Sequence, residues 1–201
     1  MVTVPHIWET VSTITIVQIA IPVLWLAWLT YWWVSARQVK PTAWREPTRL
    51  WIRHRVPLII AALLLGARAW VPRVLTRRFL PQGDVFPVLG TVLLATGLGF
   101  SVWARRHLGR NWSAHVVVKQ GHELVRTGPY RWVRHPIYTG ILLALLGMVV
   151  AFGEWRGLLA MGFALLSFAV KSGQEERRMG EVFPEYEQYR RGTAALIPFI
   201  Y

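Results

Sequence analysis

PIYTGILLALLGMVVAFGEWRGLLAMGFALLSFAV, residues 136–170, decides the fold. Two apolar runs, 136–153 and 157–170, are separated only by Glu154, Trp155 and Arg156. So short a connection predicts a tight helical hairpin. Its solvent follows from the composition of the whole chain. Of 201 residues, 54% are hydrophobic and only 16% charged, and there are 12 Trp. A soluble domain carries about a quarter charged residues. Mean hydropathy is +0.35. Disorder is excluded by the amount of apolar surface. The absence of Cys excludes a disulfide-stapled fold, thiol catalysis and Cys-ligated zinc. The hairpin therefore belongs in lipid.

Three further spans precede it. Residues 10–36 carry no charge and are long enough to cross about 30 Å of hydrocarbon. The run ends on Trp28, Tyr31, Trp32 and Trp33, an interfacial aromatic belt. It is too long and too aromatic for a cleavable signal peptide. A second, weaker span starts near Pro57 and is interrupted by Arg68, whose side chain is expected to snorkel or face a polar cavity. Residues 85–104 are charge-free and make the third span. The expectation is an all-α polytopic membrane protein of about five transmembrane helices. Residues 1–104 form an N-terminal group of three spans. Residues 105–201 form a catalytic region that includes the hairpin and a polar tail, 174–191, leaving the membrane.

The net charge of +13 fits the same picture. Basic residues number six in the loop after span one, seven after span three and five after span five, Lys171 included. Those three segments share one side, so the positive-inside rule puts the C-terminus in the cytoplasm and the N-terminus outside. With no targeting segment, a bacterial-type inner membrane is the expected location. No basic helix separate from the spans is available for nucleic acid. The cluster Arg73, Arg77 and Arg78 falls on the opposite side, against the charge rule.

Chemistry concentrates at residues 115–138 and 171–189, which flank the hairpin and are brought together by it. Gly128-Pro129 makes a turn. Pro136 suits the first turn of a helix, which puts His135 at a helix start where free N–H groups attract anions. Tyr138 follows on the same face. From these residues alone, a ligand site and a Pro-initiated membrane helix with interfacial anchors are equally good accounts. Glu175-Glu176 could hold a cationic or hydroxyl-rich ligand, or could complement a helix N-terminus. His115 and His122 have no third neighbour at metal-ligand spacing, so no metal is expected. No Walker loop, G-x-G-x-x-G or G-x-S-x-G occurs.

The ordered series Leu108-Gly109-Arg110-Asn111-Trp112, His122-Glu123-Leu124-Val125, Gly128-Pro129-Tyr130, Arg134-His135-Pro136-x-Tyr138, Glu175-Glu176 and Phe183-Pro184-Glu185-Tyr186-x-x-Tyr189 resembles the isoprenylcysteine carboxyl methyltransferase family. The wider group includes phospholipid N-methyltransferases. The resemblance covers nearly half the chain, from Leu108 onward. It implies S-adenosylmethionine as methyl donor, bound on the cytosolic side without a Rossmann domain. By the same resemblance, donor contacts fall on His122, Glu123, Leu124 and Val125, on Tyr130, on His135, Pro136, Ile137 and Tyr138, and on Glu175. A family Arg that contacts substrate is replaced by Lys171, which keeps the charge but loses the planar fork. Gly192 stands where many relatives carry Arg, leaving Arg190 or Arg191 to serve; Lys171 and Arg191 are the candidate catalytic residues.

The resemblance implies methyl transfer to a lipophilic acceptor that enters from the bilayer. That is an in-line displacement needing no metal, to which the protein contributes alignment and desolvation. A carboxylate, an amine and a thiol remain open as the accepting group, and no committed base is visible. Two alternatives stay in view: an NADPH-dependent reductase of sterol-reductase type, whose motif favours Asn-Pro-Tyr over His135-Pro136, and a non-catalytic lipid-binding protein.

Overall fold

A computed structural model describes residues 7–39, 42–45, 47–112, 117–119 and 124–198. Five long helices carry the architecture: α1 (Ile7–Ser35), α2 (Thr48–Gly66), α3 (Val85–Leu108), α4 (Pro136–Phe152) and α5 (Trp155–Val182), followed by a short α6 (Tyr186–Arg191). One small antiparallel pair, β1 (Thr42–Arg45) with β2 (Val117–Lys119), joins the loops after α1 and α3. The protein is an all-α membrane protein. Three helices, α1, α3 and α5, are long and apolar enough to cross a membrane. Of the other two expected spans, α4 is apolar but has only 17 residues. The polar half of α2 brings Arg49, Arg53 and Arg55 into the helix, which starts nine residues before the expected Pro57.

The spine is the antiparallel pair α3–α4. Gly90 and Gly97 face Gly147 and Gly140, seven residues apart on each helix. A Cβ at Gly90, Gly97, Gly140 or Gly147 would lie 2.3 to 2.6 Å from backbone atoms of the opposite helix. Only glycine permits that approach, and small residues at helix crossings are the usual way for backbones to pack closely in lipid, where no hydrophobic driving force brings helices together. Ala104, Ala144 and Ala151 are fully or nearly fully buried, as are the adjoining Leu94 and Leu98. α1 lies against α3, and α2 lies against α5. Trp28 Nε1 donates to Ser101 Oγ at 2.7 Å, and Trp25 Nε1 to Met148 Sδ at 3.2 Å, which fixes α1 on the spine. Among the described residues α1 and α2 make no extended contact with each other.

The hairpin between α4 and α5 turns at Gly153, whose φ of 61° is left-handed and suits a residue without Cβ. The expected tight connection is found and is shorter still: only Gly153 and Glu154 lie between the helices, and Trp155 and Arg156 open α5. Buried Arg156 donates to the Leu64 and Leu65 carbonyls at 2.8 and 2.7 Å, satisfying the open end of α2, and its Nε pairs with Glu154. Arg68 Nε pairs with the other Glu154 oxygen at 3.0 Å. Arg68 thus sits beyond α2, paired at the bundle end.

One expectation needs correction. The fifth span and the polar tail were expected as separate pieces, 157–170 and 174–191. Instead the span and the tail as far as Val182 form one uninterrupted helix of 28 residues, α5, and the tail resumes as α6 after residues 183–185. Glu175 and Glu176 therefore stand in a helix interior, with partners on α4 and its cap, and do not complement a helix N-terminus. Gly173 is helical, within α5. No competing partner for its backbone interrupts the ladder.

Candidate functional site

α4 opens at Pro136 with His135 as its cap residue. What holds this entry is the chain after α6. Arg134 N–H donates to the Ala194 carbonyl at 2.9 Å and His135 N–H to Ala195 at 3.1 Å. Thr139 Oγ1 reaches the Leu196 carbonyl at 2.5 Å. The Arg134 guanidinium donates to the carbonyls of Arg190, at 2.9 Å, and Thr193, and its Nε meets Glu176 at 2.8 Å. Tyr189, buried, donates to the Tyr130 carbonyl at 2.6 Å, tying the Gly-Pro-Tyr turn to α6. Burial pushes the Tyr189 hydroxyl up to about 12, so it stays protonated as this donor.

On that frame α4, its cap and α5 bring five chemistry-bearing side chains together, His135, Tyr138, Lys171, Glu175 and Glu176. His135 Nε2 lies 3.0 Å from Glu176, and Nδ1 lies 3.4 Å from Glu175. The Tyr138 hydroxyl donates to both Glu175 oxygens, at 2.8 and 2.9 Å. Lys171, one turn before Glu175, is 3.9 Å from it and 5.4 Å from the centre of the Tyr138 ring. The His135, Tyr138 and Phe168 rings stack in series, with centroids 5.4 and 4.7 Å apart and interplanar angles of 7°. Burial opposes charge on the His135 imidazole, but hydrogen bonds and charge from Glu175 and Glu176 outweigh it and hold its pKa above the ordinary value.

This cluster forms the polar end of a cavity of about 900 Å³. The remaining wall is mostly apolar and runs along the bundle between α1 and α2. Trp25, Trp28, Leu58, Ala61, Leu145 and Met148 are among its lining residues, and Leu65 and Gly66 line it toward the hairpin end. A largely apolar cleft with a few convergent polar groups at one end is the general form of a small-molecule site.

Most of the expected site residues converge here. Leu124, Val125, Tyr130, His135, Ile137, Tyr138, Lys171 and Glu175 all line the cavity. Pro136 is buried behind it as the first residue of α4. His122 and Glu123 lie outside the described residues. Arg191 is exposed and pairs with Glu187 at 3.2 Å, away from the cavity. Arg190 likewise turns its side chain to Glu187, at 3.7 Å. Further residues take part, of which the sequence offered Glu176 beside Glu175 and Arg134 in the motif series, but neither Phe168 nor His54 as site residues. Glu176 and Arg134 complete the His135 network, Phe168 extends the stack, and His54 is buried and lines the cavity. A signal existed for Phe168: it precedes Lys171 by three residues and Glu175 by seven, on one helical face.

Fold and site together define a polytopic helical membrane protein with a charged, aromatic-stacked cluster at one mouth of an apolar cavity. Residues 88–181, which hold most of α3, α4 and most of α5, match the model of the isoprenylcysteine carboxyl methyltransferase family. The cobalt-zinc-cadmium resistance protein CzcN of Cupriavidus metallidurans is 33% identical over 156 residues, which are 73% of this chain and 64% of that protein. The nickel-cobalt-cadmium resistance protein NccN of Alcaligenes xylosoxydans xylosoxydans is 28% identical over 156 residues, 73% of this chain and 65% of that protein. The protein-S-isoprenylcysteine O-methyltransferase of Saccharomyces cerevisiae is 32% identical over 117 residues, 56% of this chain and 49% of that enzyme. The chain thus spans under two thirds of the length of these relatives.

Proposed function

We propose that this protein is a membrane methyltransferase that uses S-adenosylmethionine to methylate a lipophilic acceptor. The observation that carries it is the joining of the His135–Tyr138–Glu175–Glu176 cluster to an apolar cavity within the family-matched region. When bound, S-adenosylmethionine supplies a methyl carbon activated on a sulfonium.

The residues present suit such a donor. Glu175 and Glu176 are carboxylates able to accept from ribose hydroxyls or an ammonium. The flat His135–Tyr138–Phe168 stack suits an adenine or a cation face. Tyr138 and His135 fix the Glu175 carboxylate from two sides, so its orientation is set before a ligand arrives. Lys171 stands where the polar end meets the apolar wall and would act on the acceptor, as the replacement for the family Arg. His122, Glu123, Leu124, Val125, Tyr130, Pro136 and Ile137 stay in the proposed donor set. Arg191 stays as a proposed substrate contact, for which its side chain would have to leave Glu187.

The tryptophan-rich wall between α1 and α2 would take the acceptor's apolar part. The absence of extended contact between those helices allows entry sideways from the bilayer. The protein's contribution is alignment and exclusion of water, which can lower the barrier by several kcal/mol. A site facing the cytoplasm and a C-terminus on that side follow from the distribution of basic residues.

Calorimetry on the protein in detergent tests the donor, and membranes incubated with methyl-labelled S-adenosylmethionine test the transfer. The expected results are saturable donor binding that Glu175→Gln weakens, and label in a lipid-extractable product. Folded protein that shows no heat at millimolar donor overturns the proposal.

A further inference from the structure

At the end of the bundle opposite the site, residues 67–84 connect α2 to α3. A connection of that length is usually mobile, but this one is tied to the hairpin tip through its backbone. Phe79 N–H donates to the Gly153 carbonyl at 2.7 Å, Arg156 N–H to Leu75 at 2.8 Å, and Trp155 N–H to Arg77 at 3.3 Å. Phe79 packs on Trp155 with ring centroids 5.2 Å apart. The result is a rigid platform formed jointly by the connection and the tip.

Its outward surface combines two chemistries. Trp70 is 89% exposed, and Val74 and Trp155 are exposed beside it. Arg68, Arg73, Arg77 and Arg78 are exposed on the same segment. The carboxylates at this end are few. Glu154 is taken by Arg68 and Arg156, Asp84 precedes α3, and Glu9 stands in the first turn of α1. Among the described residues, neither Arg73 nor Arg77 pairs with a carboxylate. Interfacial tryptophan sets the depth of this platform at the headgroup level, since indole prefers the boundary between acyl chain and water. Arginines held at that depth face phosphates, with which guanidinium makes forked, charge-assisted hydrogen bonds.

We propose that this platform is a binding site for anionic phospholipid, with Arg73 and Arg77 holding the headgroup phosphate and Trp70 seated among the acyl chains. The ligand is a membrane lipid of the leaflet opposite the methyl-donor site. The same binding gives a physical account of a basic cluster that defies the charge rule for loops: these arginines are kept by lipid, not by topology. The inference does not depend on methyl transfer.

The test uses the full chain in detergent, titrated with phosphatidylglycerol, phosphatidylcholine or inorganic phosphate, with native mass spectrometry and thermal melting as readouts. Phosphatidylglycerol should bind and raise the melting temperature; phosphatidylcholine and inorganic phosphate should do so far less. Each arginine at a lipid surface contributes about fivefold to affinity, so Arg73→Gln with Arg77→Gln should weaken phosphatidylglycerol binding about thirtyfold. Both positions are exposed, so the double variant should melt as the parent does without lipid. Unchanged phosphatidylglycerol affinity in that variant, or equal binding of the two phospholipids by the parent, overturns the proposal. An equal shift with inorganic phosphate also overturns it, by removing the lipid from the recognition.

Discussion

Replacing Tyr138 by Phe removes one oxygen and leaves the ring. In the structure that oxygen donates to both oxygens of Glu175, at 2.8 and 2.9 Å, while the ring is held by stacking on His135 and Phe168. Stacking does not involve the hydroxyl, so the change isolates one hydrogen bond to a charged acceptor, worth about 1.5–3 kcal/mol. Glu175 keeps His135 at 3.4 Å and Lys171 at 3.9 Å, so its carboxylate is loosened but stays in place. If half the lost energy is carried into donor binding, the Kd for S-adenosylmethionine rises about four- to tenfold. Isothermal calorimetry on parent and variant in the same detergent measures this, with melting temperature as the check on folding. A Kd within twofold of the parent, in a variant that melts normally, would refute the claim that Tyr138 orients Glu175 for the donor.

Two further predictions concern the spine and the cap of α4. Gly140→Ala puts a Cβ 2.6 Å from Gly97 O and Ser101 N, and such overpacking costs about 1–3 kcal/mol or more; the same change at Gly162, where nothing lies within 4 Å, should leave melting unchanged or raise it slightly. The pKa of His135 is raised above its ordinary 6.5 by Glu175 and Glu176, so the stability its charge contributes is complete below pH 6.5 and is lost as pH rises through the folded value. Melting temperature should fall across that window in the parent and stay flatter in His135→Gln; equal profiles would show that the charge on His135 does not contribute.

Much of this architecture was legible because lipid imposes a simple rule: a spanning segment must satisfy its own backbone and present apolar side chains. Charge-free stretches around α1, α3 and α4 follow that rule, and the three residues between the apolar runs left only a hairpin. The rule fails where a helix outlives its membrane segment. The apolar run ends near Val170, but the backbone ladder continues to Val182, because neither Gly173 nor the charged residues after it offers a better partner than the next turn. Arg49, Arg53 and Arg55 hid the first half of α2 for the same reason. Within the site, His135 and Tyr138 were visible from local spacing, and Glu175 from the ordered motif series. Glu176, Arg134 and His54 act across distances of tens of residues, through packing that no local pattern records. The pairing of residues 194 and 195 with 134 and 135 is also long-range, made by backbone atoms that every residue carries alike.

That last pairing sets an order of events during synthesis. Residues 193–196 leave the ribosome after every helix of the bundle, yet they hold the backbone and guanidinium of Arg134 and the entry to α4. The hydrophobic helices can insert as they emerge, whereas the cap at His135 has to wait for the tail to dock. A chain truncated after Arg191 would keep all the helices that anchor it in the bilayer, but the groups at the mouth would lack their clasp. Anchoring and readiness to bind are thus separate steps in the life of this protein, and a large fusion placed directly behind Leu196 would interfere with the second while sparing the first.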